Sequence, residues 1–445
     1  MAKKTSPLLS LAIQYLAISL IKPNPNNVRL HPQSQLRKLA ESLREFGFLV
    51  PILIDDDGMI LAGHARYQAA LLLGLTAVPV VRVSHLTEKQ RRAFLLADNK
   101  LASLSSFDME KLAVEFEYLL DGNDSHTIST TGFDIVEVDK VLGNDRAAPA
   151  EEVVELPADA AVPVSQPGDL WLIGKHRLLC GSCLDRMNVE RLFAGEKASA
   201  VVADPPYGIA IENNVSGLGA KKHKDFMMGC AEMSDVELTF SFFRPAFQLM
   251  AEFSHPGAIA FIFMDWRHAR HVQNAADGVF LEHKNTIVWV KSNPGLGSWY
   301  RSQHEFVLAF KMSAGPTTNN FGLGGQGRVR SNVWQYPGAN VFRAGRKQDL
   351  EDHPTVKNLK MCADAILDVS APGDIIFDPF LGSGTTISAA AATGRRGFGL
   401  EIDPKYVDVI IRRVTEKTGL IARLEDGRTF AEVAAERGVK VEEGR

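Results

Sequence analysis

The sequence predicts an α/β protein in which a small α+β domain precedes a larger domain with a doubly wound parallel sheet. Three observations of the 445-residue chain support this fold class. Strand and helix patterns alternate after residue 167, as in sheets covered by helices on both faces. A shorter alternation occupies the front of the chain. Between them lies a stretch rich in Ala, Pro and acid without regular periodicity, which is typical of a linker. The predicted segments are a front domain 1–143, a linker 144–166, a second domain 167–418 and a C-terminal tail 419–445.

The front domain is predicted to begin with a helix whose apolar residues recur every three or four positions from Leu36 to Phe46. Ser34 caps this helix in the prediction, and Gly47 ends it. Two strands then flank an Asp-Asp-Asp-Gly turn, and a second helix and a third strand follow. The predicted strands are 50–54, 59–62 and 78–83, and the second helix runs from about 65 to 74.

The strands predicted in the second domain end at or near charged side chains. These strands are 200–203, 259–264, 286–290, 375–377 and 397–400, and the charged residues that follow them are Asp204, Asp265, Lys291, Asp378 and Glu401. Open α/β sheets bind ligands at the carboxyl ends of their strands, so the sequence predicts a ligand site at this edge. A short helix, 429–437, is predicted in the tail without an assigned role.

Composition limits the classes of function. The longest unbroken apolar run, Ala258–Met264, is far shorter than the ~18 residues of a membrane span. Four cysteines fit a reducing cytoplasm, and the lone Cys180-x-x-Cys183 pair favours structural thiols over a metal site. We therefore expect a cytoplasmic protein without membrane contact or metal. The net charge of −4 counts against a nucleic-acid partner, because binding to phosphates requires Lys and Arg. Residues 306–348, however, carry six basic residues and no acid, so a local basic surface is compatible with the sequence.

A glycine-rich turn follows the strand that ends at Asp378. The segment reads Asp-Pro-Phe-Leu-Gly-Ser-Gly-Thr-Thr over 378–386, opens an alanine-rich helix and is followed by Glu401 at the next strand end. Its glycines let a ligand approach the backbone, and the acid can accept hydrogen bonds from ribose hydroxyls. The turn indicates a nucleoside site, and a purely structural turn is the alternative.

Asp204-Pro205-Pro206-Tyr207 stands at another strand end. Two prolines fix the backbone and remove two N–H donors, which leaves carbonyl acceptors beside a carboxylate and an aromatic ring. Asp204 and the Pro205 carbonyl can accept the two hydrogens of an exocyclic amino group, and Tyr207 can stack on an extruded base. For the tetrapeptide alone, an ordinary turn is the alternative.

Together the two motifs resemble those of S-adenosylmethionine-dependent DNA methyltransferases that modify amino groups. The order of DPPY before FxGxG is similar to the group called the beta class, in which target recognition lies between the motifs. Further matches are 289–291, 300–305 and His-Pro-Thr-Val-Lys at 353–357. The sequence departs from the family at Asn358, where Pro is usual, and at 181–185, where Gly-Asp is usual.

The resemblance implies a Rossmann-like fold and direct methyl transfer to a base in double-stranded DNA. The implied catalytic residues are Asp204, Pro205, Pro206 and Tyr207. The implied cofactor-binding residues are Asp378, Phe380, Gly382, Ser383, Gly384, Thr385, Glu401 and Asp185. Target recognition would occupy about 293–348, with DNA contacts by Lys291, Arg301, Arg328, Arg330, Asn332, Trp334, Arg343, Arg346 and Lys347. A structural role is the alternative for Trp334 and Tyr336. Asp in the first position of DPPY favours adenine N6 over cytosine N4.

A second resemblance covers about residues 15–105. Gly63-His64-Ala65-Arg66-Tyr67-Gln68-Ala69 joins a strand to a helix, and its spacing is similar to the nucleotide-phosphate motif of ParB-type N-terminal domains, which are small α+β, sulfiredoxin-like folds. A helix N-terminus with a glycine and an inward arginine can bind an anion. The resemblance implies phosphate contacts by Gly63, His64 and Arg66 and leaves open whether the domain binds nucleotide or DNA.

The chain is therefore interpreted as a site-specific DNA adenine-N6 methyltransferase with a ParB-like front domain, of the kind found in phage and bacterial restriction-modification proteins. One alternative is cytosine-N4 transfer in the same pocket. Another is a ParB-like, nucleotide-dependent DNA-binding or partition protein with an inactive methyltransferase half. The recognition sequence and a homodimeric state are left open.

Overall fold

A computed structural model describes residues 11–120, 128, 130–145, 162–206, 233–294, 299–322, 328–338 and 357–439. The chain divides into two compact units, Met1–Leu142 and Gly143–Arg445. In the first unit the elements are β1 (Ile13–Ala17), α1 (Gln33–Phe46), β2 (Ile52–Ile54), β3 (Ile60–Ala62), α2 (His64–Leu72), β4 (Ala77–Arg82), α3 (Glu88–Ala102), α4 (Met109–Leu120) and α5 (Ile135–Leu142). No described helix is long and apolar enough to cross a membrane.

The elements of the second unit alternate between strands and helices. They are β5 (Leu170–Ile173), β6 (His176–Cys180), α6 (Arg186–Phe193), β7 (Ala198–Ala203), a short helix Asp235–Glu237 that continues as a π-helical segment Leu238–Phe243 into α7 (Arg244–Glu252), β8 (Ser254–Met264), α8 (Ala269–Ala276), β9 (Glu282–Val290), β10 (His304–Lys311), β11 (Val333–Gln335), α9 (Leu359–Val369), β12 (Ile375–Asp378), α10 (Thr385–Ala392), β13 (Arg396–Glu401), α11 (Pro404–Thr418), β14 (Ala422–Leu424) and α12 (Phe430–Glu436).

The first unit is built on a four-stranded sheet in the order β1-β4-β2-β3. β2 and β4 are parallel, and the other pairs are antiparallel. Ile52 and Ile54 on β2 lie two residues apart, so they point to the same face and form the core with Ala70 of α2. The observed elements agree with the sequence prediction to within a few residues. α1 starts earlier than predicted, with Pro32 rather than Ser34 at its N-cap.

The second unit contains a ten-stranded sheet in the order β11-β9-β10-β8-β7-β12-β13-β6-β5-β14. The central strands β8, β7, β12, β13 and β6 are parallel. Alternate residues of each strand point to opposite faces. Val201 and Phe377 therefore pack against the α6–α8 side, while Ala200 and Ile376 pack against α9 and α10. Helices thus cover both faces, which confirms the doubly wound fold class.

The second unit extends further at both ends than the predicted domain 167–418. Asp408 on α11 accepts hydrogen bonds from Val164 N–H at 2.6 Å and Ser165 N–H at 2.9 Å, so the end of the predicted linker is docked on the sheet unit. β14 pairs with β5, and Val433 of α12 is buried in the same core as Trp171. The described part of the predicted tail, 419–439, therefore belongs to the sheet unit.

Candidate active site

Charged side chains from several segments lie along one edge of the ten-stranded sheet. β7, β12 and β13 are parallel, so Asp204, Asp378 and Glu401 stand at the same ends of their strands. β10 runs antiparallel to β8 and β9, which brings its first residues, including Glu305, beside the ends of those two strands. The structure therefore has the clustering of strand-end charges that the sequence predicts, with Glu305 as an additional member.

Four side chains at this edge form a series of ion pairs in which acidic and basic groups alternate. They are Asp204, Lys357, Glu305 and Lys291. The ammonium of Lys357 lies 3.1 Å from Asp204 Oδ2 and 2.9 Å from Glu305 Oε2. The other carboxylate oxygen of Glu305 contacts Lys291 Nζ. Burial alone would raise the pKa of the Glu305 carboxyl, but the charges of Lys357 and Lys291 outweigh burial and lower that pKa to about 2. Glu305 is therefore ionised at neutral pH and lies in contact with two lysine side chains.

The backbone next to Lys357 is fixed by the helix that follows it. Asn358 is the N-cap of α9, and its Oδ1 accepts a hydrogen bond from Met361 N–H at 3.0 Å. Where the family usually has Pro, this chain therefore begins the helix with an Asn cap. Glu305 and Lys357 lie inside the matched segments 300–305 and 353–357, and the sequence alone assigns them no role. Their pairing depends on an antiparallel register that only the folded sheet provides.

The DPPY segment presents hydrogen-bond acceptors at this edge. Asp204 is partly exposed and Pro205 is buried. Neither Pro205 nor Pro206 has an N–H, so the polar atoms here are carbonyl and carboxylate oxygens. Tyr207 lies outside the described residues, and its stacking role stays a prediction.

The turn after β12 is organised by Asp378. Its two carboxylate oxygens accept hydrogen bonds from Phe380 N–H at 2.9 Å and from the Thr386 hydroxyl at 2.6 Å. The side chain is buried, and burial raises the pKa of the carboxyl to about 7. Asp378 therefore shapes the turn from inside.

The two glycines of the turn have different surroundings. Gly382 has φ +52°, and a Cβ added there would meet nothing within 4 Å. Gly384 has φ +78°, and a Cβ there would lie 2.8 Å from Ile410 Cγ2 on α11. Gly382 thus borders open space in which a ligand can approach the backbone, whereas Gly384 permits close packing of the helix.

Glu401 connects the turn to the next strand. It accepts hydrogen bonds from Gly382 N–H at 2.8 Å and from Asp403 N–H at 2.9 Å, through different oxygens. Burial raises the pKa of its carboxyl to about 7. Each carboxylate oxygen has a second acceptor position, so Glu401 can bind ligand hydroxyl groups while it holds the turn.

Three other predicted cofactor residues have partners inside the protein. Arg413 of α11 donates to Ser383 Oγ at 3.3 Å and to Thr385 Oγ1 at 3.2 Å, and these bonds hold the turn against α11. Asp185 is the N-cap of α6 and accepts from Met187 N–H at 2.9 Å. The structure thus gives these side chains structural bonds, and their cofactor contacts stay predictions.

Three residues predicted to contact DNA belong to one cluster around the buried carboxylate of Asp368. Arg328 and Arg330 both pair with Asp368, at 3.1 and 2.7 Å, and Asp368 is only 2% exposed. Trp334 is 4% exposed, packs against Phe261 and lies under the Arg330 guanidinium. These contacts give Arg328 and Arg330 structural partners and match the structural alternative for Trp334, and the DNA contacts of all three stay predictions.

The remaining predicted DNA contacts lie in three kinds of place. Arg301 and Asn332 are exposed. Lys291 belongs to the charge chain with Glu305. Outside the described residues are Arg343, Arg346 and Lys347, which stay predictions.

The predicted phosphate motif of the first unit lies where β3 meets α2. Gly63, with φ +103°, is the N-cap of α2. His64 Nε2 lies 3.2 Å from Asn24 N, and burial, followed by the charge of His31, lowers the pKa of His64. The Arg66 guanidinium lies against Gly63, and its buried Nε has no hydrogen-bond partner among the described residues. This arginine is suited to an anion.

The cysteines described by the structure are buried free thiols. Burial raises the pKa values of Cys180, Cys183 and Cys362 to about 12, so these thiols are neutral. No cluster of three or more His, Cys, Asp or Glu residues suited to a metal ion occurs among the described residues.

Comparison with known proteins assigns a family model to each unit. The model described as "DNA methylase" matches residues 198–412, and the model described as "ParB N-terminal domain" matches residues 3–100. The ParB-like nuclease domain-containing protein YnaK of Escherichia coli (strain K12) is 40% identical over 82 residues, which cover 18% of this chain and 94% of YnaK.

Two methyltransferases are also similar to parts of the chain. The DNA adenine methyltransferase YhdJ of Escherichia coli (strain K12) is 39% identical over 87 residues, covering 20% of this chain and 28% of YhdJ. The orphan methyltransferase M.BamHII of Bacillus amyloliquefaciens is 38% identical over 97 residues, covering 22% of this chain and 36% of that protein. The chain thus matches only about a third of the length of each methyltransferase.

Proposed function

The chain carries a ParB N-terminal domain followed by a DNA methylase domain of the N4/N6 type, and from this premise we propose that it methylates adenine N6 in DNA. The methyl donor in this proposal is S-adenosylmethionine. The observation that carries the proposal is the position of the Asp204-Pro205-Pro206 acceptors at the same sheet edge as the open turn at Gly382.

The proposed reaction depends on positioning. The lone pair of an exocyclic amino group is delocalised into the base, so the nitrogen is a weak nucleophile. Asp204 and the Pro205 carbonyl would accept the two amino hydrogens and direct the lone pair toward the methyl donor. No covalent enzyme intermediate is needed, and holding the two reactants in line supplies the acceleration. Because the amino group is paired inside a duplex, the base must be extruded into the site.

The residues at the turn suit S-adenosylmethionine, which supplies an electrophilic methyl group when bound. The open space at Gly382 admits a ligand, and Glu401 has acceptor positions for ribose hydroxyls. A ligand that carries positive charge also stabilises the ionised form of Glu401, whose pKa burial raises to about 7. Phe380, beside the turn, is partly exposed and offers an apolar surface.

Adenine N6 is proposed over cytosine N4 on two grounds. Asp204 occupies the first position of the motif, and the similar protein YhdJ is a DNA adenine methyltransferase.

The exposed segment Trp299-Tyr300-Arg301 precedes Glu305 at the same edge and has the aromatic and cationic groups that stack on bases and contact phosphates.

Replacing Asp204 with Ala tests this proposal. We expect methyl transfer to duplex DNA to fall by more than about 100-fold, because an acceptor of the amino group is lost. The affinity for S-adenosylmethionine should persist, since that ligand is assigned to the turn at Gly382. Asp277→Ala, which removes an exposed carboxylate at the end of α8, is the matched control and should keep its turnover. Unchanged turnover in Asp204→Ala would contradict the proposal.

For the first unit we propose a second function, the binding of a nucleotide phosphate at Gly63 and Arg66. The supporting observation is the buried Arg66 Nε without a partner among the described residues. Equilibrium binding of fluorescent nucleoside triphosphates to wild type and Arg66→Gln measures this directly. Loss of binding in the variant is expected, and equal binding would contradict the assignment.

A further inference from the structure

We propose that Lys357 is a positioning residue, whose ammonium is anchored by Glu305 and holds the Asp204 carboxylate ionised and in place when a base displaces water from the site. This inference rests on the proposed function, in which Asp204 accepts a hydrogen of the amino group. It assigns roles to two side chains that come from segments 52 residues apart in sequence.

The contacts of Lys357 are those of a rigid bridge. Its Nζ lies 3.1 Å from Asp204 Oδ2 and 2.9 Å from Glu305 Oε2, and its side chain is only 13% exposed. The rings of Phe263 and Trp289 lie 5.4 and 5.6 Å from the ammonium, at the distance of cation–π contacts. A flexible lysine is therefore held by two carboxylates and two aromatic faces.

Glu305 holds the Lys357 ammonium beside Asp204. Its second oxygen contacts Lys291, so Glu305 is held through both of its carboxylate oxygens. Lys291 Nζ in turn lies 4.9 Å from the Trp289 ring. Because Glu305 stands between two cations, it stays ionised and holds Lys357 beside Asp204 rather than allowing it to turn toward solvent.

The neighbours of Asp204 explain why a cation is needed. Asp378, at the end of the adjacent strand β12, and Glu305, on β10, place two more carboxyls near it. Cys362 on α9 also faces Asp204, but burial keeps this thiol neutral. Lys357 supplies a positive charge in direct contact with Asp204. Without it, crowding by like charges and loss of water would favour protonation, and a protonated carboxyl is a poorer acceptor.

Single-turnover methyl transfer as a function of pH tests the role of Lys357. For Lys357→Met we expect a rate roughly 100-fold lower at pH 7.5 and an acidic limb moved upward by about one pH unit or more. Lys357→Arg keeps the charge and should recover about tenfold of that loss. The affinity for S-adenosylmethionine should stay within about threefold of wild type, which also shows that the variants fold.

Lys360→Met is the matched control. Lys360 is on α9, is about half exposed and pairs with Asp364 at 2.9 Å. Its substitution therefore removes the same charge without a change at Asp204. Its rate and pH profile should equal those of wild type. If Lys357→Met also keeps the wild-type rate and the wild-type acidic limb, Lys357 has only a structural role and the inference is overturned.

A measurement without turnover separates this inference from the proposed function. In protein labelled at the carboxyl carbon of aspartate, the ¹³C shift of Asp204, identified from Asp204→Asn, reports its protonation. We expect the Asp204 titration to move upward by about one pH unit or more in Lys357→Met. An unmoved titration overturns the inference. A moved titration in a protein that transfers no methyl group supports the inference and refutes the proposed function.

Discussion

Replacing each glycine of the turn by Ala should have two distinct effects. In Gly384→Ala the new methyl would lie 2.8 Å from Ile410 Cγ2, at a φ of +78°. The left-handed conformation costs a residue with a Cβ ~1–2 kcal/mol, and overpacking adds ~1–3 kcal/mol. The free energy of unfolding should therefore fall by about 2–5 kcal/mol. At Gly382 the new methyl would meet nothing within 4 Å, so Gly382→Ala should lower the free energy of unfolding only by the conformational part, about 1–2 kcal/mol.

Urea unfolding followed by tryptophan fluorescence measures this difference. All five tryptophans lie in the second unit, so the fluorescence reports that unit. Titration with S-adenosylmethionine supplies the second readout. Gly382→Ala should weaken binding by about tenfold or more, because its methyl enters the ligand space, whereas folded Gly384→Ala should bind normally. Equal destabilisation by the two substitutions, or normal ligand binding by Gly382→Ala, would refute the reasoning.

Three further predictions concern stability. Arg330→Met should lower the free energy of unfolding by about 2–3 kcal/mol, because it leaves the charge of buried Asp368 partly unpaired. The salt dependence of DNA binding should stay unchanged. A weaker salt dependence without destabilisation would show that Arg330 contacts DNA. Burial raises the folded-state pKa of Glu401 to about 7, so its contribution to stability is present below its unfolded pKa and is lost as the pH rises toward 7. In urea unfolding from pH 4.5 to 8, the free energy of unfolding should fall more steeply for wild type than for Glu401→Gln. Parallel curves would contradict this. Ending the chain at Gly419 removes β14 and α12 and exposes Trp171, so the melting temperature of the second unit should fall by more than about 10 °C, and an unchanged value would contradict the observed packing.

The strands and the site edge could be predicted because they depend on local patterns. Apolar runs that end at Asp204, Asp378 and Glu401 specify both the strand and the residue that follows it. The sheet then brings those residues together by topology alone, since parallel strands end at one edge. The Gly-Ser-Gly turn was recognisable for the same reason, although the separate tasks of Gly382 and Gly384 depend on the position of α11.

Local sequence patterns do not reveal partners that are distant in sequence. Residues 306–348 contain no acid, yet Arg328 and Arg330 meet Asp368, which lies outside that stretch. A segment that is basic in sequence can therefore be neutralised in the fold. The roles of Glu305 and Lys357 were missed for the same reason, because their contact requires β10 to run antiparallel beside β8.

The tail was separated from the second domain because its elements are short. β14 has three residues and α12 has seven, too few for a clear periodic pattern. Their assignment to the sheet unit follows from pairing with β5 and from burial beside Trp171, which are long-range contacts.

The identity of the modified base tests the central claim most directly. Duplex DNA is incubated with wild-type protein and S-adenosylmethionine carrying a deuterated methyl group, then digested to nucleosides and analysed by mass spectrometry, with Asp204→Ala as the blank. The account predicts labelled N6-methyladenine that is absent from the blank. Labelled N4-methylcytosine alone would contradict the choice of base, and no label in any nucleoside, from protein shown to bind the methyl donor and DNA, would contradict methyl transfer itself.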